Sequence, residues 1–238
     1  MAVGEISRAP LREIPGYIYQ PPETPKAALV ALHAFNQRPE DIEVYSKAFA
    51  KNGFVVLAPR YTDASDGVIS AVRALRKVKE IGFGDYEKIG IFGISLGGTV
   101  SLLASTQERV GFVVDVGGWI DLADLYLYLS KFPSGTPQRY IADLVRSTLG
   151  EPEESRELYE LSSPITYVDR VASRVLILHG SEDTMVPPAQ SLKLYEKLKS
   201  LGKDVEYHVI EGGGYLLQGR EEDVIRITLD FLRRRNLI

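Results

Sequence analysis

The sequence predicts an α/β fold, with a mostly parallel central sheet and helices packed on both faces. Short apolar segments of strand length alternate along the chain with longer segments of helical periodicity. Strands that are separated by helices normally pair in parallel within one sheet. The length of 238 residues suits one domain of this class, and no repeat or low-complexity linker divides it. We therefore expect a single domain over residues 1–238.

The first predicted elements surround one apolar strand. Lys26–His33 is a continuous apolar run that ends in a polar turn, as expected for a strand buried on both faces. Gly16–Tyr19 precedes it as a candidate antiparallel edge strand. Pro39–Asn52 has apolar residues at helical spacing and is followed by a glycine, so it predicts a helix. Phe54–Ala58 is the next strand, which Pro59 ends.

The alternation continues through the middle of the chain. Ser65–Ile81 places apolar residues on one helical face, and Lys88–Ile94 is again a short apolar strand. Leu96–Thr106 predicts the helix that follows, and Arg109–Val116 the strand after it. These units repeat the strand–helix–strand pattern of a parallel sheet.

A long segment then interrupts the pattern, from Trp119 to Ser163. Asp121–Leu129 is apolar on nearly every side, and Pro137–Leu149 and Glu153–Leu161 predict further helices. The simplest interpretation is a cap inserted over the ends of the strands, about residues 119–163. The alternative is that these helices only thicken the core.

The remaining residues complete the sheet. Arg174–His179 and Asp204–Ile210 predict strands, and Pro188–Leu201 and Gly219–Leu232 predict helices after each of them.

Composition excludes several functional classes. The net charge of −4 gives no basic footprint for nucleic acid. The absence of cysteine excludes disulfides, thiolate catalysis and zinc–thiolate sites. The first residues lack the basic and apolar regions of a signal peptide, and no apolar run is long enough to span a bilayer. We expect a cytoplasmic enzyme that binds no membrane, and the scarcity of asparagine fits a heat-adapted source.

The strongest motif is Gly93-Ile94-Ser95-Leu96-Gly97, between a predicted strand and a predicted helix. In a nucleophile elbow the serine occupies a strained turn that lifts its Oγ above the sheet. The flanking glycines lack a Cβ that would clash with the neighbouring strand and helix. The helix N-terminus favours negative charge at the reacting centre. Ser95 is therefore the candidate nucleophile.

Together with the elbow, two further stretches resemble the α/β-hydrolase superfamily. They are residues 163–187, with His179-Gly180 and Asp183 followed by Val186-Pro187, and residues 191–214, which end in Gly212-Gly213-Gly214. The chain is similar to small esterases and to the hydrolase domains of the prolyl-oligopeptidase type. This resemblance implies the α/β-hydrolase fold with a small helical cap. It covers nearly the whole chain and leaves no room for a propeller domain.

The resemblance also implies roles for individual residues. Asp183 corresponds to the acid that orients the catalytic imidazole. The oxyanion hole would use the backbone N–H of Leu96 and a second N–H, for which we choose Phe35, from the loop after Lys26–His33. The family usually has His-Gly in that loop, whereas this chain has His33-Ala34.

The catalytic histidine is missing. The family has a histidine after the last glycine of the turn, where this chain has Tyr215. The three histidines of the chain, His33, His179 and His208, are all expected to be structural. A phenol has a pKa of about 10 and cannot accept the serine proton near neutral pH. Its hydroxyl could still bond to Asp183 or Ser95.

Three explanations of Tyr215 stay open. The chain is an engineered or selected variant of an esterase with histidine at this position. It is a natural relative that lost catalysis and now binds a ligand or a protein. Or it works with another base, either a tyrosinate or a histidine that moves in.

If the scaffold acts, it cleaves its substrate through a Ser95 acyl-enzyme. The cap supplies an apolar set that suits a short acyl or aromatic group: Trp119, Leu122, Leu125, Tyr126, Leu129 and Phe132. Small carboxylic esters are the first substrate class, and short peptides or acyl-aminoacyl compounds the alternative. The same surface could form a homodimer. Gly212-Gly213-Gly214 lacks the lysine of a phosphate loop, and no metal site is evident, so we expect no cofactor.

Overall fold

A computed structural model describes residues 5–238, and Met1–Gly4, the start of the segment compared above with signal peptides, lie outside the described residues. Within this range the strands form one eight-stranded sheet in the order β1-β2-β4-β3-β5-β6-β7-β8. The first two strands, β1 (Ser7–Pro10) and β2 (Gly16–Gln20), are antiparallel. All later strands pair in parallel. The predicted α/β fold with a mostly parallel sheet is confirmed.

The parallel strands follow the predicted apolar runs closely. They are β3 (Ala27–Leu32), β4 (Phe54–Pro59), β5 (Ile89–Ile94), β6 (Phe112–Val116), β7 (Arg174–Gly180) and β8 (Val205–Ile210). Every residue of β3 to β6 is buried, because helices cover both faces of a parallel sheet.

Helices divide into two layers, one on each face of the sheet. Their bounds are α1 (Glu43–Lys51), α2 (Ala64–Glu80), α3 (Leu96–Ser105), α7 (Ala189–Ser200) and α8 (Glu221–Arg234). Helices α2, α3 and α7 share one hydrophobic core, and α1 and α8 share the core on the opposite face. None of the helices within residues 5–238 combines the length and apolar character needed to cross a bilayer.

The segment between β6 and β7 forms three helices with a hydrophobic cluster of their own. They are α4 (Leu122–Leu129), α5 (Pro137–Leu149) and α6 (Arg156–Leu161). Leu125, Leu129 and Tyr159 are buried in this cluster, which is separate from the two cores against the sheet. We call α4–α6 the cap.

Two details differ from the predicted elements. β2 is antiparallel, but it is not the edge of the sheet, because β1 pairs along its other side. β1 has four exposed residues and therefore no apolar pattern by which the sequence could predict it. The predicted helix from Pro39 is a 3-10 turn, Pro39–Ile42, followed by α1.

Candidate active site

Ser95 lies at the sharp turn between β5 and α3. Its backbone has φ 52° and ψ −115°, which non-glycine residues rarely adopt. The Ser95 N–H donates to the carbonyl of Val116 at 2.8 Å, and its own carbonyl accepts from Gly98 N at 2.8 Å. These bonds to β6 and α3 hold the strained residue in place. Such strain is typical of functional sites.

Glycine is required on both sides of this serine. A Cβ at Gly93 would collide with the carbonyl of Gly97, and a Cβ at Gly97 would collide with the carbonyl of Leu32. Neither obstacle is a flexible side chain, so the backbone itself would have to move. The turn therefore has the local construction of a nucleophile elbow.

Two peptide N–H groups beside Ser95 have no protein acceptor. Among the hydrogen bonds of residues 5–238, neither Leu96 N nor Phe35 N donates to another protein group. Both residues line the same cavity as Ser95. The Phe35 loop is held by Ala34 N, which donates to Gln37 Oε1 at 3.1 Å. Two free donors beside a nucleophile, one of them at a helix N-terminus, are suited to an oxyanion.

Tyr215 faces the candidate nucleophile, Ser95, directly. Its hydroxyl oxygen lies 3.1 Å from Ser95 Oγ, and either group can donate. The following residues, Leu216 and Leu217, have positive φ angles of 62° and 51°, and buried Leu217 anchors the turn in the core. Burial raises the pKa of the phenol above its usual value of 10.0, and the charge of Asp183 raises it further, against the opposing hydrogen bond to Ser95. The phenol is thus a neutral group and not a base.

Asp183 lies close by but does not bond to the phenol. Its Oδ1 accepts from the backbone N–H groups of Met185 at 2.8 Å and Val186 at 2.9 Å. Its Oδ2 is 3.6 Å from His179 Nε2. Among the hydrogen bonds of the described residues there is none between Asp183 and Tyr215. The carboxylate is held in position by the backbone.

No histidine among residues 5–238 contacts Ser95 through a hydrogen bond. His179 Nε2 lies 2.8 Å from the carbonyl of Val186 and donates to it, and Nδ1 shares a hydrogen bond with Ser191 Oγ at 2.6 Å. His33 is stacked on Tyr61 at 4.0 Å between ring centroids. His208 bonds to Glu206 on β8. All three are engaged elsewhere.

A cavity of about 500 Å³ opens from Ser95 towards the cap. Its polar end holds Ser95 and Tyr215, with Leu96 and Phe35 beside them. The cap wall contains four residues that the sequence analysis named: Trp119, Leu122, Leu125 and Leu129. Among the described residues that line it, only Asp63 carries a charged side chain. It is exposed, and its carboxylate caps α2 by accepting from Asp66 N at 3.0 Å.

Other predicted substrate contacts lie elsewhere. Tyr126 does not line this cavity, since its hydroxyl donates to Glu151 at 2.6 Å and its ring packs edge-on against Tyr159 at 6.0 Å. Phe132 packs on Tyr128 at 5.3 Å and is also absent from the wall. An apolar pattern on every side of a helix cannot tell which side faces a cavity.

The sequence analysis missed most of the opposite wall. Five residues of α5 line the cavity, namely Ile141, Leu144, Val145, Thr148 and Leu149. Their spacing places them on one helical face, which is the signal that could have identified them. Met185 and Val186, which hold Asp183 by their backbone, also line it.

Asp115 was also missed. This residue of β6 is fully buried beneath the start of α3, where Oδ1 accepts from Gly118 N at 2.9 Å. Within the described residues its Oδ2 has no hydrogen-bond partner. Burial raises the pKa of this carboxyl from 3.8 to about 6, against the opposing Gly118 N–H and the nearby His179. A titratable acid thus lies directly behind the elbow.

Comparison with known proteins is consistent with this geometry. The model of the prolyl oligopeptidase family matches residues 63–235. The uncharacterized peptidase YtmA of Bacillus subtilis (strain 168) is 28% identical over 172 residues, which are 66% of this chain and 63% of YtmA. The thermostable monoacylglycerol lipase of Bacillus sp. (strain H-257) is 23% identical over 218 residues, which are 79% of this chain and 84% of the lipase.

Solved structures share the fold at lower identity. A puromycin-hydrolyzing peptidase of Mycobacterium tuberculosis superimposes with a TM-score of 0.77 at 21% identity. The superposition covers 94% of this chain but only 38% of the peptidase. This chain therefore spans less than two thirds of both YtmA and that peptidase.

Proposed function

Because the chain belongs to the prolyl oligopeptidase family of hydrolases, we propose that it is a serine hydrolase scaffold that cleaves small carboxylic esters through an acyl-enzyme on Ser95. The observation that carries this proposal is the apolar cavity against Ser95, whose lining within residues 5–238 offers no buried charge to hold the terminus of a peptide. An acyl group needs only apolar walls and donors for its carbonyl oxygen. The name of the Bacillus lipase relative agrees with an ester substrate.

The proposed reaction assigns a role to each residue of the site. Ser95 Oγ attacks the ester carbonyl, and the N–H groups of Leu96 and Phe35 stabilise the oxyanion that forms. In this chain the Ser95 proton passes to solvent water. Collapse of the tetrahedral intermediate expels the alkoxide, which takes a proton from water and leaves as the alcohol. A water molecule then attacks the acyl carbon and releases the acid, and Ser95 Oγ regains a proton from solvent. The role proposed for Asp183 is to orient an imidazole where one is present at position 215.

Tyr215 makes this scaffold slow. A neutral phenol cannot accept the Ser95 proton, so only the oxyanion hole and substrate binding are left to accelerate the reaction, which in a well-studied protease amounts to about 10³–10⁴ over water. We propose that this chain retains turnover of that order and that a histidine at this position would raise it.

A second candidate function is ligand binding without turnover. The raised pKa of the buried phenol favours it, because a tyrosinate is then unavailable as a base at neutral pH. Short peptides and acyl-aminoacyl compounds are the alternative substrate class, which the names of the peptidase relatives support.

The decisive experiment is Tyr215→His, assayed with p-nitrophenyl acetate and butyrate. We expect kcat to rise by at least about 10²-fold, within the factor of about 10⁶ that a triad histidine contributes in a well-studied protease. Ser95→Ala in the same background is the matched control and should abolish the gain. An unchanged rate would contradict the hydrolase proposal and favour the binding protein.

Location and assembly are further proposals. The absence of cysteine agrees with a cytoplasmic protein.

The cap exposes Leu127, Tyr140 and Leu161, which supports a homodimer through this surface. Sedimentation of the wild-type chain and of Tyr140→Glu would test the dimer. The buried charge of the variant should shift the equilibrium from dimer to monomer.

A further inference from the structure

Helix α5 carries an apolar face that the protein covers only in part. Ile141, Leu144, Val145 and Leu149 recur at helical spacing and are all half-buried, whereas Ala142 is the only residue of the helix that is buried. An amphipathic helix normally turns its apolar face into a core. Here that face lines the 500 Å³ cavity.

The opposite wall has the same character. Leu122, Leu125 and Leu129 of α4 face the cavity at helical spacing and are themselves buried. The cavity is therefore a slot between two apolar helix faces, and Trp119 also contributes to its lining.

The polar groups beside Ser95 are distinct from the other polar side chains of the lining, which are Asp63, Ser65, Thr148 and Ser162. The groups beside Ser95 are the hydroxyl of Tyr215 and the free N–H groups of Leu96 and Phe35. A carbonyl or similar oxygen suits the groups beside Ser95, and an apolar chain suits the walls formed by α4 and α5.

We infer that the slot between α4 and α5 holds a single medium-length acyl chain, on the order of ten carbons, with its carbonyl at Ser95. A methylene fills about the volume of a water molecule, roughly 30 Å³, so ten carbons leave space for the head group in this cavity. The inference rests on the proposed function only for the place of the carbonyl. It replaces the short acyl group expected from the sequence with a longer one.

The chain as given can be tested without catalysis. Trp119 is the only tryptophan and lines the slot, so its fluorescence reports occupancy. The probes are 2-alkanones of 4 to 16 carbons, which carry a carbonyl but cannot be hydrolysed, with saturated fatty acids as a second arm. Tighter binding of the acids would identify a carboxylate ligand, and tighter binding of the ketones an uncharged acyl group; both outcomes support an acyl-chain site.

The expected signature is a chain-length dependence. Each buried methylene contributes about 0.8 kcal/mol, so Kd should fall about fourfold per added carbon. The fall should stop near ten carbons, where further methylenes stay in water. A Kd that does not depend on chain length, or binding of four carbons as tight as of ten, would overturn the inference.

Variants on α5 provide a matched pair. Val145→Asp places a charge on the cavity face, whereas Ser147→Asp places it on the exposed face of the same helix. We expect at least about tenfold weaker binding for Val145→Asp and no change for Ser147→Asp, because only the first carboxylate must be desolvated by the chain. Equal effects of both variants would contradict the site.

A second variant keeps the test decisive if Val145→Asp does not fold. Thr148→Phe adds bulk at an exposed position of the cavity wall and should move the preferred length towards shorter chains, while Trp119 stays the only tryptophan. If the preferred ligand length does not change, the acyl chain does not bind between α4 and α5.

Failure of this inference differs from failure of the proposed function. Chain-length-dependent binding together with inactive Tyr215→His would leave the acyl site and remove the hydrolase. If Tyr215→His is active but neither binding nor kcat/KM depends on chain length, the hydrolase proposal stands and the acyl-chain site is rejected.

Discussion

The hydroxyl oxygens of Tyr215 and Ser95 lie 3.1 Å apart, with no imidazole between them. Since burial raises the pKa of the phenol, both members of this pair are neutral near pH 7. The donors for an oxyanion are free and the acid Asp183 is held by two backbone N–H groups. The site therefore has the groups that the proposed serine hydrolase needs, except a base.

Tyr215→Phe separates a spectator phenol from a catalytic one. The substitution removes one neutral hydrogen bond, worth about 0.5–1.5 kcal/mol, so the rate of fluorophosphonate labelling of Ser95 should change by no more than about tenfold. Labelling is followed by intact-mass spectrometry between pH 6 and 10, with Ser95→Ala as the unlabelled control. A loss of about a hundredfold or more, together with wild-type labelling that rises with phenolate at alkaline pH, would show that tyrosinate is the base.

Asp115→Asn should stabilise the protein in a pH-dependent way. The carboxyl has a pKa of about 6 in the folded state against 3.8 ordinarily, so between these values the folded state holds more protons than the unfolded state. Stability is therefore lost as pH rises through this window, by about 3 kcal/mol in total for this fully buried group. The asparagine keeps the acceptor for Gly118 N and, like the protonated acid, places a donor at the Oδ2 position.

Urea denaturation at pH 4 and pH 8 measures this difference. The variant should be more stable than the wild type at pH 8, and the two should converge towards pH 4. A difference that is the same at both pH values would show that Asp115 keeps one protonation state throughout.

Sequence reasoning found those parts of the molecule that depend on local chemistry. The backbone of the turn at Ser95 requires the glycines on both sides, so the sequence motif predicts the turn. The central strands are apolar along their whole length, so their positions are also predicted from the sequence. Tyr215 was located through the family resemblance, which places a histidine after the last glycine of this turn. Its contact with Ser95, rather than with Asp183, depends on how two loops meet and required coordinates.

The features that were missed depend on which face an element presents. β1 has only exposed residues and pairs with β2 through its backbone, so no apolar pattern marks it. Tyr126 and Leu125 are neighbours in sequence, but only Leu125 faces the cavity. Asp115 is a charged residue type within an apolar strand. Nothing in the sequence indicates that its side chain is buried or that its Oδ2 has no hydrogen-bond partner among the described residues.

Arg235→Ala should weaken the attachment of α8 to the edge strand β8. Arg235 donates to Glu206 at 2.7 Å and to both oxygens of Asp204, at 2.6 and 3.0 Å. Burial alone would raise the pKa of Glu206, but the bonds from Arg235 and His208 and the charges of Arg235 and Arg234 lower it to about 2. We expect a loss of about 1–3 kcal/mol at pH 7, as for hydrogen bonds between charged groups.

The pH dependence gives the sign of this effect. A lowered acid pKa contributes stability above about 4.5 that is lost as pH falls towards 2, so the wild type and Arg235→Ala should converge below pH 4 in thermal melts. Arg226→Ala is the control on the same helix, since Arg226 pairs with Asp223 in an exposed setting and should matter by less than about 0.5 kcal/mol. If both variants lose the same free energy of unfolding, the contacts of Arg235 with Asp204 and Glu206 stabilise the protein no more than an exposed ion pair does.

Gly98→Ala tests the packing between the elbow helix and Asp115. A Cβ at Gly98 would collide with Asp115 Oδ1 and lie 3.1 Å from the Cα of Gly118. We expect destabilisation by about 1–3 kcal/mol, the range for overpacked cores. Labelling of Ser95 should also slow, because Gly98 N donates to the Ser95 carbonyl and any shift of α3 moves the nucleophile. Gly84→Ala is the control, since a Cβ there meets no atom within 4 Å.

A double-mutant cycle isolates the contact with Asp115. Trimming the acid in Gly98→Ala/Asp115→Ala removes the oxygen that the new methyl group meets, so the double variant should lose less stability than the sum of the two single variants, by at least about 0.5 kcal/mol. The free energy of unfolding is measured in urea at pH 5, where the carboxyl is mostly protonated because its pKa is about 6 and its charge contributes little. Additive losses would mean that Gly118, and not Asp115, sets the limit on residue size at position 98, and that the acid does not support the elbow.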